Sequence, residues 1–223
     1  MADMLKARGF TLIELMVAIA VMGLMALLSW RGLDGMVRAQ EQTRQRADQL
    51  LVLQAALGQW GTDLDALLPM PHTIPIDWDG QVLRMTRRGQ ASSIEGALVV
   101  AWARRNVEGH DQWLRWQSPP LRTRAQWQQA WQQAALWARN PGDIERRAEV
   151  ALMPLGGWNI YFYRDNAWSN PMSSSGPPPG EAAAASVLVP DGIRLLIDLP
   201  PGQALAGQIT RDWVNPLKGG GKT

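Results

Sequence analysis

An α+β fold is predicted: one long N-terminal helix, apolar in its first half and amphipathic in its second, packed on antiparallel β-sheet. Three observations carry this. Residues 10–30 form an apolar run in which Glu14 is the only charge. Leu50, Leu53, Leu57, Trp60, Leu64 and Leu67 then recur at alternating spacings of three and four, which makes one apolar helical face. Past Pro69 and Pro71, which cannot sit inside a helix, short apolar runs separated by turn residues supply the layer to cover that face.

Composition sets the limits. The 223 residues, 46% of them apolar, suffice for one membrane segment and one modest globular domain. Twenty-two basic against 20 acidic residues is near balance and by itself implies no anionic partner. The absence of cysteine excludes disulfides and thiolate metal sites, so stability has to come from packing. Twelve tryptophans stand against two tyrosines and two phenylalanines, and they are expected as bulky core residues.

The N-terminal elements follow in order. Residues 1–9 are short and polar and carry Lys6 and Arg8. The 21 helical residues of 10–30 reach about 31 Å, the thickness of a bilayer's hydrocarbon core. Lys6 and Arg8 just before this run favour a cytoplasmic N-terminus with the rest of the chain outside, a bias that Arg31 and Arg38 weaken. Leu28-Ser29-Trp30-Arg31-Gly32 offers no small-residue signal-peptidase site, so the apolar run is expected to stay attached. Glu14 costs a few kcal/mol at membrane depth and therefore calls for a partner.

The order Arg8-Gly9-Phe10-Thr11-Leu12-Ile13-Glu14-Leu15 resembles the leader junction of type IV prepilins and type II secretion pseudopilins. The resemblance implies a pilin-like fold, removal of residues 1–9 by prepilin peptidase between Gly9 and Phe10, and N-methylation of Phe10. It places Glu14 at the fifth mature position, where, with Thr11, it would serve subunit assembly by pairing with a neighbouring subunit's N-terminal amine. Physical chemistry favours such a pair, because a carboxylate and an amine are each costly alone in lipid.

Beyond Trp30 the mixed charges, Gln and Ala of residues 31–68 continue the helix as an amphipathic half, and Leu50, Leu53, Leu57, Trp60 and Leu64 are assigned to helix–sheet packing rather than to a coiled coil. A β-rich globular domain is expected over 69–217. Its strands are predicted at 73–78 and 81–86 about the Asp79-Gly80 turn, and at 97–104 and 112–117 about a turn at 106–111 with Gly109. Residues 118–157 are expected to be a helical insert, with a helix at 125–139 ended by Asn140-Pro141-Gly142 and Trp127 and Trp131 docking it on the sheet. Strands resume at 158–164, 192–199 and 208–214. Residues 170–185 read as a loop and 218–223 as a disordered tail.

Trp30-Arg31-Gly32-Leu33-Asp34, Asp191-Gly192-Ile193-Arg194-Leu195 and Ile209-Thr210-Arg211-Asp212-Trp213-Val214 narrow the resemblance to the minor pseudopilin J subgroup of type II secretion. This implies a non-catalytic subunit of the pseudopilus tip, anchored in the inner membrane with a periplasmic domain. The implied partners are I- and K-like minor pseudopilins and the major pseudopilin, with exported substrates or the secretin as further contacts. The alternative is a minor pilin of a type IV pilus, including one for DNA uptake.

Little in the sequence suggests catalysis. His72 and His110 stand in expected turns without metal-ligand spacing, and no phosphate-binding loop or nucleophile elbow is present. Asp63 and Asp65, like Asp77 and Asp79, lack the ligand density of a calcium loop. No metal or cofactor is expected, and a tethered enzyme would require a pocket of perturbed titratable groups. Losing Lys6, Arg8 and Asp3 with the leader lowers the side-chain charge by one, and no nucleic-acid partner is expected. Clustering of Arg87-Arg88, Arg104-Arg105 and Arg146-Arg147 would be the way to build such a surface.

Overall fold

A computed structural model describes residues 10–89, 96–172 and 189–216. Residues 1–9, most of the loop expected at 170–185 and the tail at 218–223 lie outside them. The architecture is α+β and pilin-like, a long N-terminal helix with antiparallel sheets. The helix, α1 (Leu12–Asp65), enters two compact units, Met1–Asp48 and Gln49–Thr223. In the first unit every side chain from 10 to 48 is exposed.

In the second unit the last turns of α1 meet two sheets. Leu53, Ala56, Trp60 and Leu64 are buried and Leu57 is half-buried, whereas Leu50 is 43% exposed and takes no part in the core. Beside Leu50 the turn is held by a polar contact instead, with Gln49 Oε1 accepting from the Leu205 amide at 3.0 Å. α1 stops at Asp65, and Leu67, past its end, bridges to Arg87.

The first sheet contains β1 (Ile76–Trp78), β2 (Val82–Arg88), β3 (Ala97–Val107), β4 (His110–Gln117) and β5 (Glu149–Pro154), paired antiparallel in that order. β1 is shorter than the 73–78 expected. Pro75 has no amide to give to the ladder, and Thr73 is turned back by hydrogen bonds from its amide and hydroxyl to the Met70 carbonyl. At the β1–β2 turn Asp79 Oδ1 accepts from the Gln81 and Val82 amides at 3.0 and 2.8 Å, with Gly80 at φ +88°. The turn expected over 106–111 is tighter, since Val107 pairs with His110 around Glu108 and Gly109, both at positive φ.

The apolar run at the start of β3, Ala97 to Ala103, is buried without a break, because both faces of the sheet are covered. On one face Leu83, Met85, Val100, Trp102 and Trp113 pack with α1. On the other Val82, Val99, Ala101, Ala103 and Leu114 pack under α2 (Arg124–Arg139). α2 starts on a capping box, with Thr123 and Gln126 bonding each other's backbone, and it buries Trp127, Ala130, Trp131, Ala134, Trp137 and Ala138 at helical spacing. Trp127 and Trp131 do face the sheet, stacked at 5.2 Å. The insert is less helical than expected over 118–157. After α2 come only the short α3 (Asp143–Arg147) and then β5, whose few apolar residues give no period to tell strand from helix.

The second sheet runs β7–β6–β8–β9, from β6 (Gly157–Arg164), β7 (Ala167–Ser169), β8 (Gly192–Leu199) and β9 (Gly207–Val214). No strand is predicted where β7 forms, three residues behind an Asp165-Asn166 turn at positive φ that lacks the usual glycine. Of the twelve tryptophans all but Trp30 and Trp168 are buried. Trp60 of α1 sits 5.3 Å from Trp102, 5.8 Å from Trp113 and 6.4 Å from Trp158, joining both sheets through one aromatic cluster.

At the centre lies Asp63, fully buried on the last turn of α1. It ion-pairs with Arg87 of β2, accepts from Arg115 of β4 at 2.7 and 2.9 Å, from the Trp102 indole of β3 at 2.9 Å and from Gln59 at 2.9 Å. Asp65 accepts from the Trp213 indole of β9 at 2.8 Å. Replacing Asp63→Ala leaves the buried Arg87 and half-buried Arg115 guanidiniums without their carboxylate, and a loss of about 3–5 kcal/mol is expected. Urea unfolding followed by tryptophan fluorescence measures it, and a loss below ~1 kcal/mol would show that Asp63 does not organise the core.

Candidate functional site

The candidate site lies at the start of α1. Phe10 is 90% exposed and precedes the helix, and Gly9 falls outside the described residues. The Glu14 carboxylate folds back to accept from the Thr11 amide at 3.0 Å and the Thr11 hydroxyl at 2.9 Å, while the Glu14 amide donates to the Thr11 hydroxyl at 3.4 Å. This is a capping box, Thr-x-x-Glu, that satisfies amides otherwise unpaired in the first turn. The Thr-x-x-Glu spacing stands in the sequence, where Thr11 and Glu14 are assigned to subunit assembly and to a neighbour's amine rather than to a bond with each other. Thr11 and Glu14 are thus brought together within one chain, and both remain exposed.

Behind this cap the helix presents apolar side chains on all sides, including Leu12, Ile13, Leu24 and Leu28, none of them buried. Such a surface is unstable in water and suits hydrocarbon. Among the described residues α1 is long and apolar enough to cross a membrane.

Residues 4–30 match the prokaryotic N-terminal methylation motif. The motif is the signal of type IV pilin-like prepilins and implies processing by prepilin peptidase and assembly into pilus-like filaments. It runs from the polar start through Gly9, Phe10, Thr11 and Glu14 and ends where the apolar run ends. A membrane-anchored, prepilin-type protein is the reading on which motif and helix agree.

The other candidate groups belong to the globular unit. His72 is exposed at φ +61°, and His110 is exposed with Nδ1 3.2 Å from the Glu108 carbonyl. Asp63 and Asp65 are held by the donors already described, Asp77 pairs with Arg84, and Asp79 caps its turn. Three of the six doublet arginines are taken up by carboxylates: Arg87 is bound to Asp63, Arg104 lies 2.9 Å from Asp111, and Arg105 lies 2.7 Å from Glu149.

One open cleft of the second sheet is lined by Tyr163, Trp168, Asp191, Arg194 and Asp212. There Arg194 donates to both Asp212 oxygens at 2.8 and 2.7 Å and lies 4.3 Å over the Trp168 ring. The Arg194 hydrogen bonds hold the Asp212 carboxyl below the usual carboxylate range. A depressed folded value means that the pair stabilises fully above the ordinary aspartate value and loses its effect as pH falls through the depressed one. Asp212→Asn is expected to cost ~0.2–1 kcal/mol at neutral pH, the range of exposed pairs, with the difference from wild type closing in acid. Thermal unfolding of both chains between neutral and acid pH checks this, and a gap that widens in acid contradicts it.

The motif generates a separate expectation. Gly9→Val puts a branched side chain at the expected scissile bond and should leave residues 1–9 attached. Intact mass of the membrane-extracted chain decides it, and an unchanged mature N-terminus excludes cleavage after residue 9.

Proposed function

We propose that this chain is a minor pseudopilin of a type II secretion system, a non-catalytic subunit of the pseudopilus tip that helps start filament assembly and promotes export across the outer membrane. The observation that carries the reading is the methylation motif over residues 4–30, running into an apolar helix with Glu14 fifth from the expected new N-terminus. Cleavage at Gly9 would expose the Phe10 amine for N-methylation. In the inner membrane that amine and a Glu14 carboxylate from adjacent subunits would each offset the other's cost of leaving water. The Thr11 bonds to Glu14 support this role, because they give the carboxylate partners before a neighbour arrives. The globular unit would then lie in the periplasm, with I- and K-like minor pseudopilins and the major pseudopilin as neighbours and with exported substrates or the secretin as further contacts. A minor pilin of a type IV pilus is the second reading, favoured by the same motif, which both systems share.

The test is a tagged full-length chain, wild type and Glu14→Ala, recovered from native membranes with its partners identified by mass spectrometry. Wild type is expected to bring down other minor pseudopilins. Glu14→Ala is expected to stay membrane-inserted and lose them at least tenfold, as a charge-assisted pair worth ~1.5–3 kcal/mol implies. Recovery of type IV pilus components would move the chain to the second reading, and equal recovery by Glu14→Ala would remove the assembly role of Glu14.

A further inference from the structure

The proposed function gives the segment between β4 and β5 no task beyond covering β3. Where that segment begins, it closes an open cleft of about 860 Å3 in the globular unit. Met70, Leu121 and Trp127 supply apolar lining, and Arg88, Arg122 and Arg124 supply charge. All three arginines are exposed, and none forms a salt bridge among the described residues. Elsewhere in the globular unit, Arg84, Arg87, Arg104, Arg105, Arg115 and Arg194 each meet a carboxylate. Among the described residues no acidic side chain lines this cleft, and none sits in the first turn of α2, whose helix dipole adds positive potential there.

The lining is held in place before any ligand arrives. The Trp127 indole donates to Thr86 Oγ1 at 2.9 Å. Leu121 and Ala97 exchange backbone hydrogen bonds at 2.8 and 3.3 Å. Gly96 lies so near Leu121 that a Cβ there would come within 2.9 Å of the Leu121 carbonyl oxygen. A ligand therefore meets a cationic rim around a fixed apolar floor and finds little to reorganise.

The chemistry selects among anionic ligands. Guanidinium forks match carboxylates and phosphates alike two bonds at a time. Nucleic acid gains much of its affinity from exposed aromatic faces on which bases stack, and Trp127, the one aromatic residue in the lining, is only 7% exposed. We propose that this cleft docks an acidic segment of a partner protein, with its carboxylates on Arg88, Arg122 and Arg124 and an aliphatic side chain between Met70, Leu121 and Trp127. The inference does not depend on which filament system the chain serves.

The test uses the full chain in zwitterionic detergent and a fluorescein-labelled peptide of alternating Glu and Leu, followed by anisotropy. Binding is expected to weaken with added salt and to fall by about tenfold or more in Arg122→Glu/Arg124→Glu and in Arg88→Glu. The milder Arg122→Ala/Arg124→Ala should fall in the same direction, and near-ultraviolet circular dichroism reports whether each variant keeps its tryptophan packing. Arg146→Glu/Arg147→Glu, equal in charge change but outside the cleft lining, should bind as wild type does. The proposal is overturned if the wild-type chain does not bind, if a Gln-Leu peptide binds equally, or if well-folded cleft variants keep wild-type affinity. It is likewise overturned if a labelled oligonucleotide or a phosphatidylglycerol vesicle binds the same arginines more tightly than the peptide.

Discussion

A carboxylate removed from water costs several kcal/mol unless donors replace its hydration, and the globular unit is arranged around one such group. Asp63 takes those donors from β2, β3 and β4 as well as from its own helix. The last turns of α1 and the first sheet therefore order each other, since neither can be displaced without stranding charge. Asp65 carries the same logic to the second sheet. Two residues apart on a helix is about 200° of rotation, so successive odd positions face different neighbours and one helical turn can address both sheets.

Packing completes what the polar hub begins. With no cysteine available, the two sheets are joined through α1 by aromatic volume, and Trp60, Trp102, Trp113 and Trp158 fill the space where a smaller domain would use a disulfide. The opposite face of the first sheet is closed by α2, whose alternation of tryptophan and alanine lets a helix lie close to the strands while filling their grooves. Glu149 secures the far end of that contact, accepting from Arg105 and from the Trp137 indole.

The parts legible in the sequence were those encoded locally. The apolar run, the stripe through Leu53, Trp60 and Leu64, the strand at 192–199 and the helix bearing Trp127 and Trp131 each announce themselves within about fifteen residues by hydropathy or period. Leu50 fitted the stripe and lies outside the core, because periodicity gives the face of a helix but not where its cover begins. Ala56, too small to mark an apolar stripe by itself, is almost fully buried at the same interface. β5 and β7 were too short to show a period. Asp63, by local spacing no more than half of a weak cation pair with Asp65, owes its role to residues 24, 39 and 52 positions away, and no local pattern encodes those meetings. Thr11 and Glu14 form the opposite case, a cap written in four adjacent letters, Thr-x-x-Glu.

The two-sided burial of β3 bears on the order in which this chain can become safe in a cell. The ribosome delivers β3 before α2, so for a time a strand with Val99, Ala101 and Ala103 on its outer face has no lid. An uncovered apolar sheet in a chain that also carries a highly apolar anchor is a strong invitation to self-association. The nascent protein should therefore need a holding chaperone until Arg139 has emerged, and trimming the insert to simplify the domain would make that transient exposure permanent.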